Sequence, residues 1–282
     1  MRHMPGPIVN DVVILGAIQA EIFAGQPNQQ VLHQTLLAQY QAYATHHGDP
    51  FLVTPAQLPA DVQARLKKKY KSRAHAFLYI VQIRKHLSPD LCPMCGSLAS
   101  STVDHYLPKD DFPEYSIFSL NLVPACNCNI ARNNTFIGTV AGERPLHPYF
   151  DAVLSTRLIS LLVIPNGNSY AQARLDLSVV VPAGHPQLAA ITFHVDKVVR
   201  RTNILAFMEK KWERMLHAPD AFFDFAWQRG ANKSQQDFNQ LIAQLRLAND
   251  IKYQTPNNWF SIFFHGIEMD PAASNYIYTQ IL

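Results

Sequence analysis

The chain has 282 residues, of which 48% are hydrophobic and 11% aromatic, enough to build a packed core in one large domain or two modest ones. Its 24 Lys and Arg against 21 Asp and Glu leave a formal charge of +3, which does not by itself demand a nucleic-acid partner. The apolar N-terminal run is interrupted by Asp11 and Glu21 without a cleavage site, and no apolar window is long enough to span a bilayer. We therefore expect no signal peptide, no membrane association and a cytoplasmic location.

The N-terminal third has helical periodicity. Apolar residues at three-to-four spacing predict helices at about residues 8–23, 29–43 and 60–87. The third helix would bury one apolar face, made of Leu66, Tyr70, Phe77 and Val81.

The third predicted helix is strongly basic. Between Asp61 and His86, eight Lys and Arg residues stand against one acid. Two interpretations stay open: a solvated helix face, or a surface that contacts DNA phosphates, which supply most non-specific affinity. The candidates for nucleic-acid binding on this helix are Lys67, Lys68, Lys69, Lys71 and Arg73.

The C-terminal part combines strands and helices. A small antiparallel sheet is predicted from an apolar run, an Asn-Gly turn and two alternating segments, at residues 158–164, 166–167, 175–181 and 191–195. Helices are predicted from Asp196 to Leu216 and at residues 234–249 and 271–282. The predicted fold class is α+β, in three regions: a helical region (1–88), a metal-organised module (89–151) and an α+β region (152–282).

All four cysteines lie within a stretch of 37 residues, as Cys92, Cys95, Cys126 and Cys128. The first pair is a zinc knuckle with two intervening residues and a following glycine, whereas the second pair is separated by one residue, a tighter spacing than usual. In a reducing cytosol, clustered thiols are more often metal ligands than disulfides. The spacing predicts one structural Zn²⁺; the alternative is a set of buried free cysteines.

Polar residues between and after the cysteine pairs carry a more specific signal. They are Asp104, His105, Asn121, Asn129, Arg132 and Asn133. In this order, between two zinc-binding pairs, the segment from about 91 to 135 resembles the HNH endonuclease family. The resemblance implies a two-stranded hairpin and a helix that grip one divalent ion, Mg²⁺ or Mn²⁺, and hydrolyse DNA. It also implies a setting in restriction or antiphage defence, often beside a larger recognition or ATPase subunit.

The residue types suit phosphodiester hydrolysis. A histidine with a free pKa of about 6.5 can take a proton from water, and carboxylate and amide oxygens suit Mg²⁺ or Mn²⁺. By the resemblance, His105 is the general base, and Asp104 and Asn129 are metal ligands. Asn121 would orient His105 or its loop.

Three further residues belong to the pattern or follow it. By the resemblance, Arg132 neutralises phosphate, where the family usually has Lys. Asn133 stands four residues after Asn129, hence on the same helix face, as a third ligand or a group behind the ligands. His147 is either an extra ligand or a packed histidine that closes the module.

A second function class stays open beside the nuclease. The zinc unit would then be a scaffold in a nucleic-acid-binding or accessory protein without hydrolytic activity. Asp104-His105 together with Asn129 argues against it, because a scaffold does not need them. No phosphate-binding GxxxxGK[ST] loop is present, so the sequence shows no nucleotide-driven motor of its own.

Overall fold

The computed structural model describes residues 1–72, 74–230 and 232–282. Over those ranges the chain forms eleven α-helices and two separate two-stranded antiparallel sheets, which confirms the predicted α+β class. The helices are α1 (Asp11–Ile22), α2 (Gln29–Thr45), α3 (Ala60–Lys69), α4 (Leu78–His86), α5 (Cys128–Arg132), α6 (Leu188–His194), α7 (Ile204–His217), α8 (Pro219–Phe222), α9 (Gln235–Tyr253), α10 (Trp259–Glu268) and α11 (Pro271–Ile281). The strands are β1 (Thr102–His105), β2 (Leu122–Ala125), β3 (Ile159–Asn166) and β4 (Ser169–Val179).

The first two helices lie where periodicity predicts them. Asn10 caps α1, and its side-chain oxygen accepts a hydrogen bond from the amide of Val13. Helix α2 buries one stripe, made of Leu32, Leu36, Tyr40 and Tyr43. At the end of that stripe the Tyr43 hydroxyl donates to Oδ1 of Asn121 at 3.0 Å, which joins the helical region to the hairpin β1–β2.

The prediction of one continuous third helix is wrong, because the chain forms two helices there, α3 and α4. Helix α3 buries Leu66, whereas α4 buries Tyr79, Ile80 and Ile83 against the hairpin, and Val81 faces solvent. At about 100° per residue, Tyr79 would project roughly 140° away from Leu66 in one straight helix. The break lets both halves bury their own apolar side.

The hairpin β3–β4 is close to its prediction, but the third predicted strand is wrong. Residues 191–195 lie in α6 and a following π-helical turn, and α7 begins at Ile204 rather than at Asp196. The segment is apolar on several sides and buried, with Ala190, Ile191, Phe193 and Val195 in the core. A helix enclosed on several sides loses the polar stripe that distinguishes it from a strand.

Buried apolar side chains form one cluster that extends from the N-terminal residues to α11. The division into three regions stays a prediction. In the described part of the chain, no helix has both the length and the apolar character to cross a membrane.

Candidate active site

The four cysteine sulfurs converge on one point. The Sγ atoms all lie within 4.8 Å of one another, with Cys92 and Cys128 3.6 Å apart and Cys95 and Cys126 3.4 Å apart. Four thiolates around zinc at about 2.3 Å form a tetrahedron with edges of roughly 3.8 Å. The donors are therefore close enough to hold a metal ion such as zinc, and the one-residue spacing of the second pair does not prevent it.

The first knuckle is fixed against the C-terminal helices. The indole of Trp259 donates to the carbonyl oxygen of Cys95 at 2.9 Å. Nε2 of His194 lies 2.6 Å from the carbonyl oxygen of Met94. Gly96 has a φ of +80°, and a side chain there would meet the carbonyl oxygen of Asn257 at 2.2 Å. The turn therefore requires glycine for its backbone conformation and for this close approach.

The hairpin and α5 surround a cavity of about 360 Å³. Strand β1 pairs with β2 in a register that sets Asp104 opposite Val123 and His105 opposite Leu122. Helix α5 begins at Cys128, so the cysteine cluster fixes where that helix starts. The cavity is lined by Asp104, His105, Asn129, Arg132 and Asn133, together with Tyr70 and Lys109.

Asp104 is half-buried and paired with Arg132. One guanidinium nitrogen of Arg132 lies 2.7 Å from Oδ2 of Asp104 and donates to the carbonyl of His105 at 2.9 Å. The other donates to the carbonyls of Tyr106 and Thr135. Oδ1 of Asp104 keeps no partner among the described residues and is not a buried atom, so it can still bind a ligand.

The predicted phosphate contact of Arg132 does not match this arrangement. The side chain is 3% exposed, and its Nε is buried without a partner among the described residues. The guanidinium donates to the half-buried carboxylate and to three backbone carbonyls, so it stabilises the conformation of the site. Arg132 is therefore a structural partner of Asp104 and is not exposed to a phosphate.

His105 is buried, and its tautomer follows from its contacts. Nε2 lies 3.0 Å from the carbonyl oxygen of Ser116. Since a carbonyl only accepts, Nε2 carries the proton and the neutral ring keeps its lone pair on Nδ1. Burial lowers the pKa of His105 to about 4, so the ring is neutral at physiological pH. Nδ1 has no partner among the described residues and is not a buried atom.

Asn121 holds the loop that follows His105. Its Oδ1 accepts from the amide of Leu107 at 2.8 Å, and its Nδ2 donates to the carbonyls of Leu107 and Tyr115. With the hydroxyl of Tyr43 on Oδ1 as well, the fully buried amide is satisfied on both sides. It therefore positions the loop, and none of the hydrogen bonds in the described part of the chain joins it to the imidazole.

The two asparagines at the other side of the cavity differ. Asn129 lies in the first turn of α5, and its Oδ1 accepts from the amide of Ile130 at 2.8 Å. Helix α5 ends at Arg132, and Asn133 follows with a φ of +55°. The prediction that Asn133 shares a helix face with Asn129 is therefore wrong, although Asn133 still lines the cavity.

His147 is a packed histidine. It is fully buried, its Nε2 lies 3.1 Å from the hydroxyl of Tyr43, and its Nδ1 accepts from the amide of Tyr149. Both ring nitrogens are thus occupied by protein groups, and the residue does not line the cavity. Burial lowers the pKa of His147 to about 3, so it stays neutral.

The basic residues of α3 are only partly free. Lys67 pairs with Asp110 at 3.2 Å, and Lys69 pairs with Glu21. Lys68 and Lys71 are exposed, and Arg73 lies outside the described residues. DNA binding by α3 and the turn that follows it stays a prediction, carried mainly by Lys68 on the helix and Lys71 in the turn.

Two residues of the cavity do not stand out in the sequence. Tyr70 fits the pattern of an apolar helix face, but it lies at the end of α3 with its ring centroid 4.4 Å from that of His105. Its hydroxyl donates to the carbonyl of Val103 at 3.1 Å. Lys109 follows Pro108 in a loop, where no periodic pattern marks it. Only its position four residues after His105 could have drawn attention to it.

Comparison with known proteins adds one partial relative. The chain is similar to protein ea31 of Escherichia phage lambda, with 35% identity over 66 residues. That match covers 23% of this chain and 22% of the phage protein, so the chain spans about a fifth of the length of the curated relative that it matches. No family model matches the sequence, and no solved structure matches it either.

Proposed function

We propose that this chain is a metal-dependent endonuclease of the HNH type that hydrolyses phosphodiester bonds of DNA. The observation that supports this most is that one cavity receives a neutral imidazole with an accessible Nδ1, a carboxylate and an amide, from His105, Asp104 and Asn129. Phosphodiester hydrolysis needs these parts: a base for water, and oxygen ligands for a cation that neutralises the phosphoryl charge.

The donor set fits a hard divalent ion. Asp104 offers an accessible carboxylate oxygen, and Asn129 offers an amide oxygen at the same cavity. Mg²⁺ and Mn²⁺ take one or two protein oxygens and keep several waters, for which the cavity has room. When bound, such an ion supplies charge neutralisation and polarises the phosphoryl oxygen.

The protein residues have separate tasks in the proposed reaction. His105 takes the proton of the attacking water on Nδ1, while its Nε2–H stays bonded to the carbonyl of Ser116 and fixes the ring. Asn121 holds the loop behind that ring. Arg132 keeps the carboxylate of Asp104 in place. The thiolates of the zinc site anchor the start of α5, on which Asn129 stands.

The test is cleavage of supercoiled plasmid by the purified chain with Mg²⁺, with Mn²⁺ and with EDTA. His105→Ala should lower the rate by about 10²- to 10⁴-fold while DNA binding is retained. His217→Ala, at an exposed position far along the chain, serves as the matched control and should cleave like wild type. Equal rates for His105→Ala and wild type would contradict the mechanism.

A specific observation also favours the second function class. Because Arg132 occupies one oxygen of Asp104, the carboxylate is already compensated without a metal. In a zinc-stabilised binding or accessory protein, the wild type and His105→Ala would bind duplex DNA equally and neither would cleave it with any of the metals. The same plasmid assay therefore separates the two classes.

The wider setting is proposed from the resemblance alone. DNA in the cytoplasm would be the substrate, within a restriction or antiphage-defence system. A larger recognition or ATPase subunit would supply the sequence specificity for which this chain has no evident reader. Co-purification of the tagged chain from its native cells, with and without nuclease treatment, tests for that subunit.

A further inference from the structure

The resemblance places a basic side chain on the phosphate beside the metal ion, but Arg132 is engaged elsewhere. Its terminal nitrogens donate to Asp104 and to the carbonyls of His105, Tyr106 and Thr135. Turning the guanidinium toward a substrate would leave the carboxylate and three carbonyls without their donors. A different cation should therefore contact the phosphate.

Lys109 is the lysine in the wall of that cavity. It is half-exposed, and its Nζ lies 5.4 Å from the centroid of the Tyr70 ring. Among the described residues, no carboxylate lies within ion-pair distance of this ammonium, whereas neighbouring Lys67 is paired with Asp110. A cation over an aromatic face is held weakly, so it can move onto a phosphate at little cost.

We propose that Lys109 binds the phosphate of the substrate in the cavity and that Tyr70 positions it for this. The inference rests on the proposed function and assigns the phosphate contact of that same site. The Tyr70 ring packs on His105 with its centroid 4.4 Å away, and its hydroxyl is bonded to the carbonyl of Val103. One anchored ring thus sets the place of both the base and the ammonium.

The test compares Lys109→Gln with Lys109→Arg in two assays. In plasmid cleavage with Mg²⁺ or Mn²⁺, Lys109→Gln should lower kcat/KM by about 10²- to 10³-fold, with most of the decrease in kcat, as for removal of one donor to developing charge. Lys109→Arg should recover much of that decrease because it keeps the charge. Lys252→Gln is the matched control, since Lys252 also lies over a tyrosine ring, at 5.2 Å from that of Tyr253.

The second assay measures binding without cleavage, in the His105→Ala background with EDTA. There Lys109→Gln should flatten the slope of log affinity for a short duplex against log salt by about 0.9, while Lys252→Gln leaves it unchanged. If the wild type cleaves, His105→Ala does not and Lys109→Gln cleaves at the wild-type rate, the assignment of Lys109 is wrong and the nuclease stands. If no variant cleaves, the nuclease proposal fails, and an unchanged salt slope would overturn the phosphate-binding role of Lys109 as well.

Discussion

Replacing Arg132 with Met should destabilise the fold clearly, by a sizeable fraction of a typical unfolding free energy. The substitution keeps the aliphatic stem but removes the donors to the carbonyls of His105, Tyr106 and Thr135 and to Asp104, whose side chain is 15% exposed. Removing one partner of a buried ion pair typically costs about 3–5 kcal/mol. Because one oxygen of Asp104 is not buried, we expect the lower end, about 3 kcal/mol, or a thermal midpoint lowered by about 5 °C for a chain of 282 residues.

Thermal and urea unfolding of the wild type and Arg132→Met measure this destabilisation. Arg201→Met, at an exposed position, is the control and should stay within about 0.5 kcal/mol of wild type. In a double-mutant cycle, Asp104→Asn should make Arg132→Met less costly, since the uncompensated charge is gone. An unchanged unfolding midpoint, together with weaker DNA binding, would refute the structural role and restore Arg132 as a phosphate ligand.

Three further predictions concern metal, pH and charge. Cys92→Ser should release zinc and give aggregated or poorly folded protein, as checked by elemental analysis and circular dichroism; folded, active wild-type protein without zinc would exclude a structural zinc. Burial raises the pKa of Glu114 from its ordinary 4.5 to about 7. The folded protein therefore loses stability as pH rises from about 4.5 to 7, because the buried carboxyl resists losing its proton. Glu114→Gln should accordingly be more stable than wild type at pH 8, by up to about 3 kcal/mol, and not at pH 4. If the difference in unfolding free energy is the same at both pH values, the buried carboxyl is not the cause. Neutralising the exposed Lys68 of α3 and Lys71 in the turn after it to Gln should flatten the salt slope of duplex binding by about 0.9 for each DNA phosphate that the protein no longer neutralises. An unchanged slope would leave this basic segment without a DNA role.

Much of the helical framework could be predicted because its signals are local. The stripe of α2 has a regular three-to-four spacing, and Ser234 begins α9 with a capping box to Asp237. The break between α3 and α4 could not, since it depends on which face each half buries against the hairpin, a tertiary fact. Similarly, the apolar alternation at residues 191–195 suits a strand, and only the enclosing core makes it a helix.

The candidate site divides in the same way. The order of cysteines and polar residues indicated which groups would meet, and the structure brings Asp104, His105 and Asn129 to one cavity. The spacing could not indicate that Arg132 turns inward to Asp104, because the two stand 28 positions apart and meet only after the hairpin and α5 pack. Nor could it indicate that α5 ends one residue before Asn133.

Residues outside the motif complete the cavity and fix its scaffold. Tyr70 comes from the end of α3 and lies on His105, so the imidazole is packed by a segment that precedes the cysteine cluster in sequence. From the other side, Trp259 and His194 bind the carbonyls of the first knuckle. The Tyr70 ring pair holds a residue of the short strand β1. The two hydrogen bonds hold the turn that carries Cys92 and Cys95. If the proposed function holds, changes at Tyr70 should alter catalysis through His105, whereas changes at Trp259 or His194 should first alter the cysteine cluster.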